Sequence, residues 1–276
     1  MPDPAEASVF FIGNATTLIR SHGFTLLTDP NFLHRGQRAY LGWGISTRRR
    51  TNPALEISRL PEIDAVVLSH MHGDHWDRVA QEGLDADVPI ITTPHAASRL
   101  KRQGFRNAIS LETWQDRRLR RGGNTLKVTA LPARHAPGFA EKLLPPVMGS
   151  MLEFGHDDGE VSLRLHISGD TLLDERLAAI PRRFPMIDLA IVHLGGTKVL
   201  GALLVTMDGV QGAHWVELIN ANYTLPVHYD DYEAFTSGLD DFRHHVNRLG
   251  LSDRVRYITR GETYHILGRR AGHGIR

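Results

Sequence analysis

The sequence predicts a mixed α/β protein, a four-layer αββα sandwich, from the order of its segments and their continuity. Both halves of the 276-residue chain contain short strand-like segments followed by helix-like ones. Two sheets packed face to face would each need helices on the outer side. No linker or low-complexity tract separates the halves, so we expect one domain over residues 1–276.

The first half is dominated by β-rich segments bounded by turn residues. Gly13-Asn14 and His22-Gly23 predict hairpin turns between the first three strands. Helical patterns cover 96–103 and a stretch near 76–82. The predicted strands are 8–12, 16–20, 25–28, 65–69, 89–93 and 126–131.

The second half repeats this order of strands and helices. The sequence predicts a turn at 157–159, an N-cap at Asp208 and a closing hairpin, 256–259 with 263–267, around Gly261. The predicted strands before that hairpin are 151–154, 163–168, 189–192 and 225–227. The predicted helices are 173–180, 208–221 and 237–249.

Two long segments, 32–55 and 136–150, match neither a strand nor a helix. Both are rich in glycine, proline or consecutive arginines. Long irregular loops in a compact domain often have a functional role. We therefore expect these two segments to form the rim of a substrate site.

Composition excludes several functional classes. The net charge of +1 predicts neither a nucleic-acid nor a membrane partner, and the absence of cysteine leaves only His, Asp and Glu as metal ligands. The first residues lack the basic and apolar runs of a secretory signal, so we expect a cytoplasmic location. A small-molecule substrate is the expected partner, and self-association is left open.

The densest chemical signal is a cluster of potential ligands after the strand-like segment 65–69. It contains His70, His72, Asp74 and His75 within six positions. Alternation along a strand points His70 and His72 the same way, while Asp74 and His75 lie in the following turn. Four nitrogen and oxygen donors this close indicate a metal site, with enough ligands for two ions.

Three further predicted strands end next to a potential ligand. His135 follows one of them, Asp170 lies in a Ser-Gly-Asp-Thr turn after the second, and His228 follows the third. In a sandwich with its site at one edge, these ends can meet the cluster that begins at His70.

In this motif and its downstream residues the chain resembles the metallo-β-lactamase-fold hydrolase superfamily. Residues 11–17 (FIGNATT) and 26–30 (LLTDP) resemble the branch of L-ascorbate-6-phosphate lactonase and N-acyl-phosphatidylethanolamine phospholipase D. The resemblance implies two divalent metal ions, zinc first, with manganese or iron as alternatives. It implies one ion on His70, His72 and His135, the other on Asp74, His75 and His228, and Asp170 bridging both.

The expected activity is hydrolysis of a small, anionic ester, lactone or phosphodiester by hydroxide generated at the two metals. Asp74 would orient this nucleophile. His193 follows another predicted strand, and we expect it to face the metal cavity as a proton donor or substrate contact. The consecutive arginines Arg48, Arg49 and Arg50 are candidates for binding an anionic substrate.

Two other functions compete with this interpretation. A nuclease or cyclic-nucleotide phosphodiesterase could use the same metals, although the neutral charge balance disfavours a long polynucleotide. A metal- or ligand-binding protein without catalysis could retain the fold. The presence of all seven candidate ligands favours the hydrolase.

Overall fold

Two β-sheets lie face to face with helices on their outer sides, as predicted. The computed structural model describes residues 7–42, 44–199 and 203–266. The strands are β1 (Ala7–Gly13), β2 (Thr16–Ser21), β3 (Phe24–Thr28), β4 (Arg38–Gly42), β5 (Ile45–Arg48), β6 (Ala65–Val67), β7 (Ile90–Thr92), β8 (Ala108–Ser110), β9 (Asp116–Arg121), β10 (Asn124–Leu131), β11 (Gly149–His156), β12 (Val161–Ile167), β13 (Leu189–His193), β14 (Lys198–Val199), β15 (Leu203–Leu204), β16 (Tyr223–Val227) and β17 (Thr263–Ile266). The α-helices are α1 (Arg78–Gly83), α2 (Pro94–Arg102), α3 (Ala179–Arg183), α4 (Gly209–Ile219) and α5 (Leu239–Arg248).

The first sheet has the order β17-β1-β2-β3-β6-β7-β8. The hairpin turns predicted between β1, β2 and β3 are confirmed, and Asn14, His22 and Gly23 have the positive φ that such turns require. The predicted C-terminal hairpin is wrong. Residues 256–259 form no strand, and β17 pairs antiparallel with β1 instead. Leu267, predicted to end that strand, lies outside the described residues.

The second sheet has the order β16-β13-β12-β11-β10-β9. Its edge strand β9 was not predicted, because the sequence Asp-Arg-Arg-Leu-Arg-Arg lacks apolar alternation. An edge strand tolerates such exposed charges, which also discourage pairing with other chains. The predicted N-cap is confirmed, since the Asp208 side chain accepts a hydrogen bond from the Gln211 N–H at the start of α4.

Three apolar layers hold the sheets and helices together. The central layer lies between the two sheets and includes Val9, Leu26 and Val128. A second layer packs α3, α4 and α5 on one sheet, and a third packs α1 and α2 on the other. Fully buried side chains such as Trp215 and Leu100 anchor these outer layers, each contributing about 1.5–3 kcal/mol by burial. Among the described residues, no helix combines the length and apolarity needed to cross a bilayer.

The segment 32–55 is not the irregular loop that the sequence predicts. It contains the antiparallel hairpin β4–β5, whose turn uses positive φ at Gly42 and Gly44. In the segment 136–150 the chain forms a 3₁₀ turn over Gly138–Leu143, and its last two residues already belong to β11. Short strands rich in glycine give little periodic signal, which explains the missed hairpin.

The β4–β5 hairpin rests on the turn that carries the histidine cluster. The N–H of Gly73 donates a hydrogen bond of 2.8 Å to the carbonyl of Tyr40. A Cβ at position 73 would lie 2.7 Å from the Tyr40 nitrogen and 2.8 Å from its oxygen. Only glycine therefore allows the two segments to approach this closely.

We expect Gly73→Ala to lower the free energy of unfolding by about 1–3 kcal/mol, because the hairpin backbone must move away. Chemical denaturation measures the change. Gly238→Ala is the control, because a Cβ there meets nothing within 4 Å and φ is −86°. Equal stability of Gly73→Ala and the native protein would contradict the assigned contact.

Candidate metal centre

Three histidines from two parts of the chain direct ring nitrogens at one point. His70 Nε2 lies 2.9 Å from His72 Nδ1, and His135 Nε2 lies 3.1 Å from the same Nδ1. His70 and His72 follow β6, and His135 follows β10. Nitrogens that share one zinc ion at 2.0–2.1 Å in tetrahedral geometry are about 3.3 Å apart. The three imidazoles therefore fit one cation.

A second group of donors lies beside the first. His75 Nε2 is 3.2 Å from His228 Nε2, and His228 Nε2 is 3.3 Å from Asp74 Oδ2. Asp170 Oδ2 lies 3.1 Å from His75 Nε2. Ligand atoms of these four buried residues lie within 4.8 Å of one another, which fits a second cation.

Asp170 connects the two groups. Its Oδ2 is 3.1 Å from His75 Nε2 and 4.0 Å from His70 Nε2. Oδ1 of Asp170 and Oδ1 of Asp74 are buried without a hydrogen-bond partner among the described residues. Orphaned buried carboxylate oxygens are costly unless a cation or ordered water accompanies them. The structure thus brings together all seven predicted ligands: His70, His72, Asp74, His75, His135, Asp170 and His228.

Unusual backbone conformations place several of these ligands. His228 has a φ of +61°, and its N–H donates a 3.0 Å hydrogen bond to the carbonyl of Asn14. Gly169, before Asp170, has a φ of +62°, and a Cβ there would lie 2.6 Å from the Met148 carbonyl oxygen. Residues other than glycine with positive φ, such as His228, concentrate at functional sites.

Burial and the neighbouring charges shift the pKa values of the histidines in the two donor groups in opposite directions. Burial, helped by neighbouring imidazoles, holds the pKa of His70 well below its ordinary value. Burial acts in the same direction at His75, but the surrounding carboxylates, Asp170 above all, raise the pKa of His75 well above its ordinary value. Burial would raise the pKa of Asp170, but the imidazoles of His228 and His75 lower it well below its usual range. A cation that binds the second donor group therefore replaces a proton.

Asp29 lies next to the second donor group. The sequence indicated it only through the resemblance of residues 26–30. One of its oxygens, Oδ2, lies 3.0 Å from His75 Nδ1, and the other accepts a 2.6 Å hydrogen bond from the Ser69 N–H. A carboxylate on Nδ1 orients the ring and directs Nε2 toward the cation. The signal was available, since Asp29 directly follows β3 just as the ligands follow their strands.

His193 packs against two of the proposed ligands, His75 and His228. Its ring stacks on His75 with centroids 5.9 Å apart, and its Nε2 lies 3.5 Å from Asp29 Oδ2. Its ring centroid also lies 5.8 Å from that of His228, so His193 adjoins the second donor group. Its Nδ1 is 3.1 Å from Ser168 Oγ, and the ring is fully buried. The role of His193 as a proton donor or substrate contact stays a prediction.

The three consecutive arginines separate. Arg49 is buried, with its guanidinium 3.5 Å from Asp231 Oδ1, and donates a 3.0 Å hydrogen bond to the Asn31 carbonyl. The predicted role of Arg49 in binding substrate is therefore wrong. Arg48 and Arg50 are exposed, and their role in substrate binding stays a prediction.

Comparisons with known proteins agree with this geometry. A family model described as "Beta-lactamase superfamily domain" matches residues 25–229. A UPF0173 metal-dependent hydrolase of Deinococcus radiodurans is 30% identical over 200 residues, covering 72% of this chain and 78% of the relative. The crystal structure of a possible metal-dependent hydrolase from Veillonella parvula superposes with a TM-score of 0.76 at 22% identity, covering 95% and 99%. The metallo-beta-lactamase fold protein YhfI of Bacillus subtilis gives 0.61 at 17% identity, covering 95% and 99%.

We expect Arg49→Gln to lower the free energy of unfolding by about 1–3 kcal/mol, because it removes one of the two arginines that pair with the buried Asp231 carboxylate, the other being Arg260 at 3.3 Å. Denaturant unfolding measures the loss. Arg48→Gln is the matched control and should change stability by less than about 0.5 kcal/mol, since Arg48 is exposed. Similar effects of the two substitutions would show that the buried ion pair contributes no more to the free energy of unfolding than an exposed arginine does.

Proposed function

Because this chain belongs to the beta-lactamase superfamily domain family and to the UPF0173 metal-dependent hydrolases, we propose that it is a hydrolase with two divalent cations. Its substrate would be a small, anionic ester, lactone or phosphodiester. The observation that carries the proposal is the position of Asp170 between two adjacent donor groups. Two cations held side by side by these groups would activate water and stabilise both the attacking and the leaving oxygen.

The protein residues prepare the donors for this chemistry. Four imidazoles direct Nε2 at the donor groups and have Nδ1 fixed by an oxygen. The oxygen belongs to Ser69 for His70, at 2.9 Å, to Asp29 for His75, at 3.0 Å, to Val205 for His135, at 2.8 Å, and to Leu194 for His228, at 3.1 Å. This arrangement fixes the tautomer and leaves the Nε2 lone pair for the cation.

Asp74 would act on the nucleophile. Its Oδ2 belongs to the second donor group, while Oδ1 is buried and without a hydrogen-bond partner among the described residues. The unused oxygen can accept a proton from an attacking water and hold the water's lone pair toward the substrate. The leaving group would take its proton from solvent, from this same carboxyl group or from His193, which adjoins His75 and His228.

The donor set favours zinc, with manganese or iron as alternatives. Imidazole suits zinc and iron, carboxylate suits manganese, and no thiolate is available in a chain without cysteine. Five imidazoles and two carboxylates make the nitrogen-rich set that zinc prefers.

We expect the purified protein to hold two metal ions per chain, measured by inductively coupled plasma mass spectrometry. Asp170→Ala should lower the occupancy of both sites, because its carboxylate lies between them, whereas His135→Ala should empty mainly one. His214→Ala is the control, since this exposed histidine lies on α4 outside the donor groups. A protein that stays metal-free in excess zinc, manganese and iron would refute the proposal.

We expect the metal-loaded protein to hydrolyse at least one substrate from a panel of lactones, carboxylic esters and phosphodiesters. His70→Ala should lower the rate by about 100-fold or more, because it removes a donor from the three-imidazole group. Chelation should abolish activity and added metal should restore it.

The pattern of activity separates the alternatives. Turnover of phosphodiesters alone would favour the cyclic-nucleotide phosphodiesterase or nuclease. Metal-loaded native protein with no activity above that of His70→Ala would favour a binding protein without catalysis.

A further inference from the structure

A cleft of about 320 Å³ opens beside the three-imidazole group. His72 contributes to its wall, so one side of the cleft is formed by a proposed metal ligand. The β4–β5 hairpin supplies Ala39 and Tyr40, and Pro145 comes from the second segment expected at a substrate rim. A volume of this size suits a small molecule.

Three arginines line this cleft. Arg38 lies on β4, Arg78 begins α1, and Arg99 is in the last turn of α2. Arg38 is held by Ser46, to which it donates hydrogen bonds of 2.9 and 3.0 Å. Among the described residues, neither Arg78 nor Arg99 forms an ion pair with a carboxylate. Guanidinium groups are thus available for a bound anion.

The one carboxylate in the wall does not neutralise these arginines. Asp77 is buried, and its oxygens accept hydrogen bonds from the N–H groups of Ala80 at 2.8 Å, Phe32 at 2.5 Å and Leu33 at 2.7 Å. These bonds place the carboxylate among backbone donors, where it caps α1. The cleft therefore presents a net positive field next to the metal centre.

The wall of the cleft is also held at a fixed distance from the metal centre. The Gly73–Tyr40 hydrogen bond ties the hairpin to the residue that follows His72. Because Gly73 has no Cβ, the two backbones pack directly against each other, and the cleft stays next to the first donor group. A substrate seated there can reach the metals with its reactive end.

We propose that this cleft binds an anionic oxygen group of the substrate, a phosphate or a carboxylate, through Arg78 and Arg99 with support from Arg38. The assignment of the bound molecule as substrate rests on the proposed hydrolase function. Arginine suits this role because its planar fork donates two parallel hydrogen bonds to such groups. The site recognises the non-reacting end of the substrate, while the bond to be cleaved lies at the metal centre.

Binding of three small probes tests the proposal by titration calorimetry on the metal-loaded protein. Phenylphosphonate and phenylacetate carry the two candidate anions on the same ring, and 2-phenylethanol is the neutral analogue. The variant is Arg78→Gln with Arg99→Gln. The matched control is Arg102→Gln, because Arg102 is an exposed arginine of the same helix as Arg99 and does not line the cleft.

We expect the double variant to bind the anions at least about 10-fold more weakly, and Arg102→Gln to bind them within about twofold of the native protein. The alcohol should bind weakly to all three proteins. The tighter of the two anions identifies phosphate or carboxylate as the recognised group. Anion affinity that is unchanged in the double variant would place the anion on the metals alone and overturn the proposal, as would equal affinity for the alcohol.

The hydrolysis panel separates failure of the cleft from failure of the catalytic function. Hydrolysis together with arginine-independent binding would overturn the cleft and leave the hydrolase standing. Arginine-dependent binding without hydrolysis of any ester, lactone or phosphodiester would overturn the hydrolase and leave the anion-binding cleft standing.

Discussion

The geometry of the metal centre depends on the buried carboxylate of Asp231. This carboxylate holds the turn at Asn14, which contacts the backbones of Asp74 and His228. It pairs with Arg49 and accepts a 2.7 Å hydrogen bond from the N–H of Asn14. Asn14 in turn donates from its side chain to the carbonyl of Asp74 at 2.6 Å and accepts at its own carbonyl from the N–H of His228. Two ligands of the second donor group are therefore held by one turn, and that turn is held by the Asp231 carboxylate, which pairs with both Arg49 and Arg260. A buried carboxylate without its cation would be strongly destabilising, so this arrangement gives the ligand backbones little freedom.

Backbone strain concentrates in the same region. Asn14, Asp29 and His228 all have positive φ, which is unfavourable for residues other than glycine. Each of the three makes hydrogen bonds that secure it: Asn14 with Asp231, Asp29 with Ser69 and His228 with Asn14. Local strain of order 1–3 kcal/mol per residue persists only when surrounding contacts determine the conformation. These backbone conformations lower the stability of the fold, and they orient the donors before any cation binds.

Local patterns predicted the parts of this protein that depend on neighbouring residues. The dense spacing of His70 to His75 and the placement of other ligands after strands were enough to locate all seven donors. Prediction failed where contacts distant in sequence decide the outcome. Arg49 was a candidate for binding an anionic substrate, because its buried partner Asp231 lies far along the chain and no local pattern indicates the pair. The approach of His193 Nε2 to within 3.5 Å of Asp29 Oδ2 joins residues of the two sheets and leaves no local pattern in the sequence. The hairpin β4–β5 depends on its contact with Gly73, which no local periodicity records.

The distribution of ligands along the chain also sets an order of events during synthesis. The first four donors are synthesised together, within six positions of one another, whereas His228 arrives only after both sheets are nearly complete. A nascent chain can therefore bind a cation through the early histidines but cannot assemble the second donor group until most of the domain has folded. Because domains fold as units and non-local contacts form late, water activation by paired cations would be confined to finished molecules. Unfinished chains would carry the motif without the reactivity.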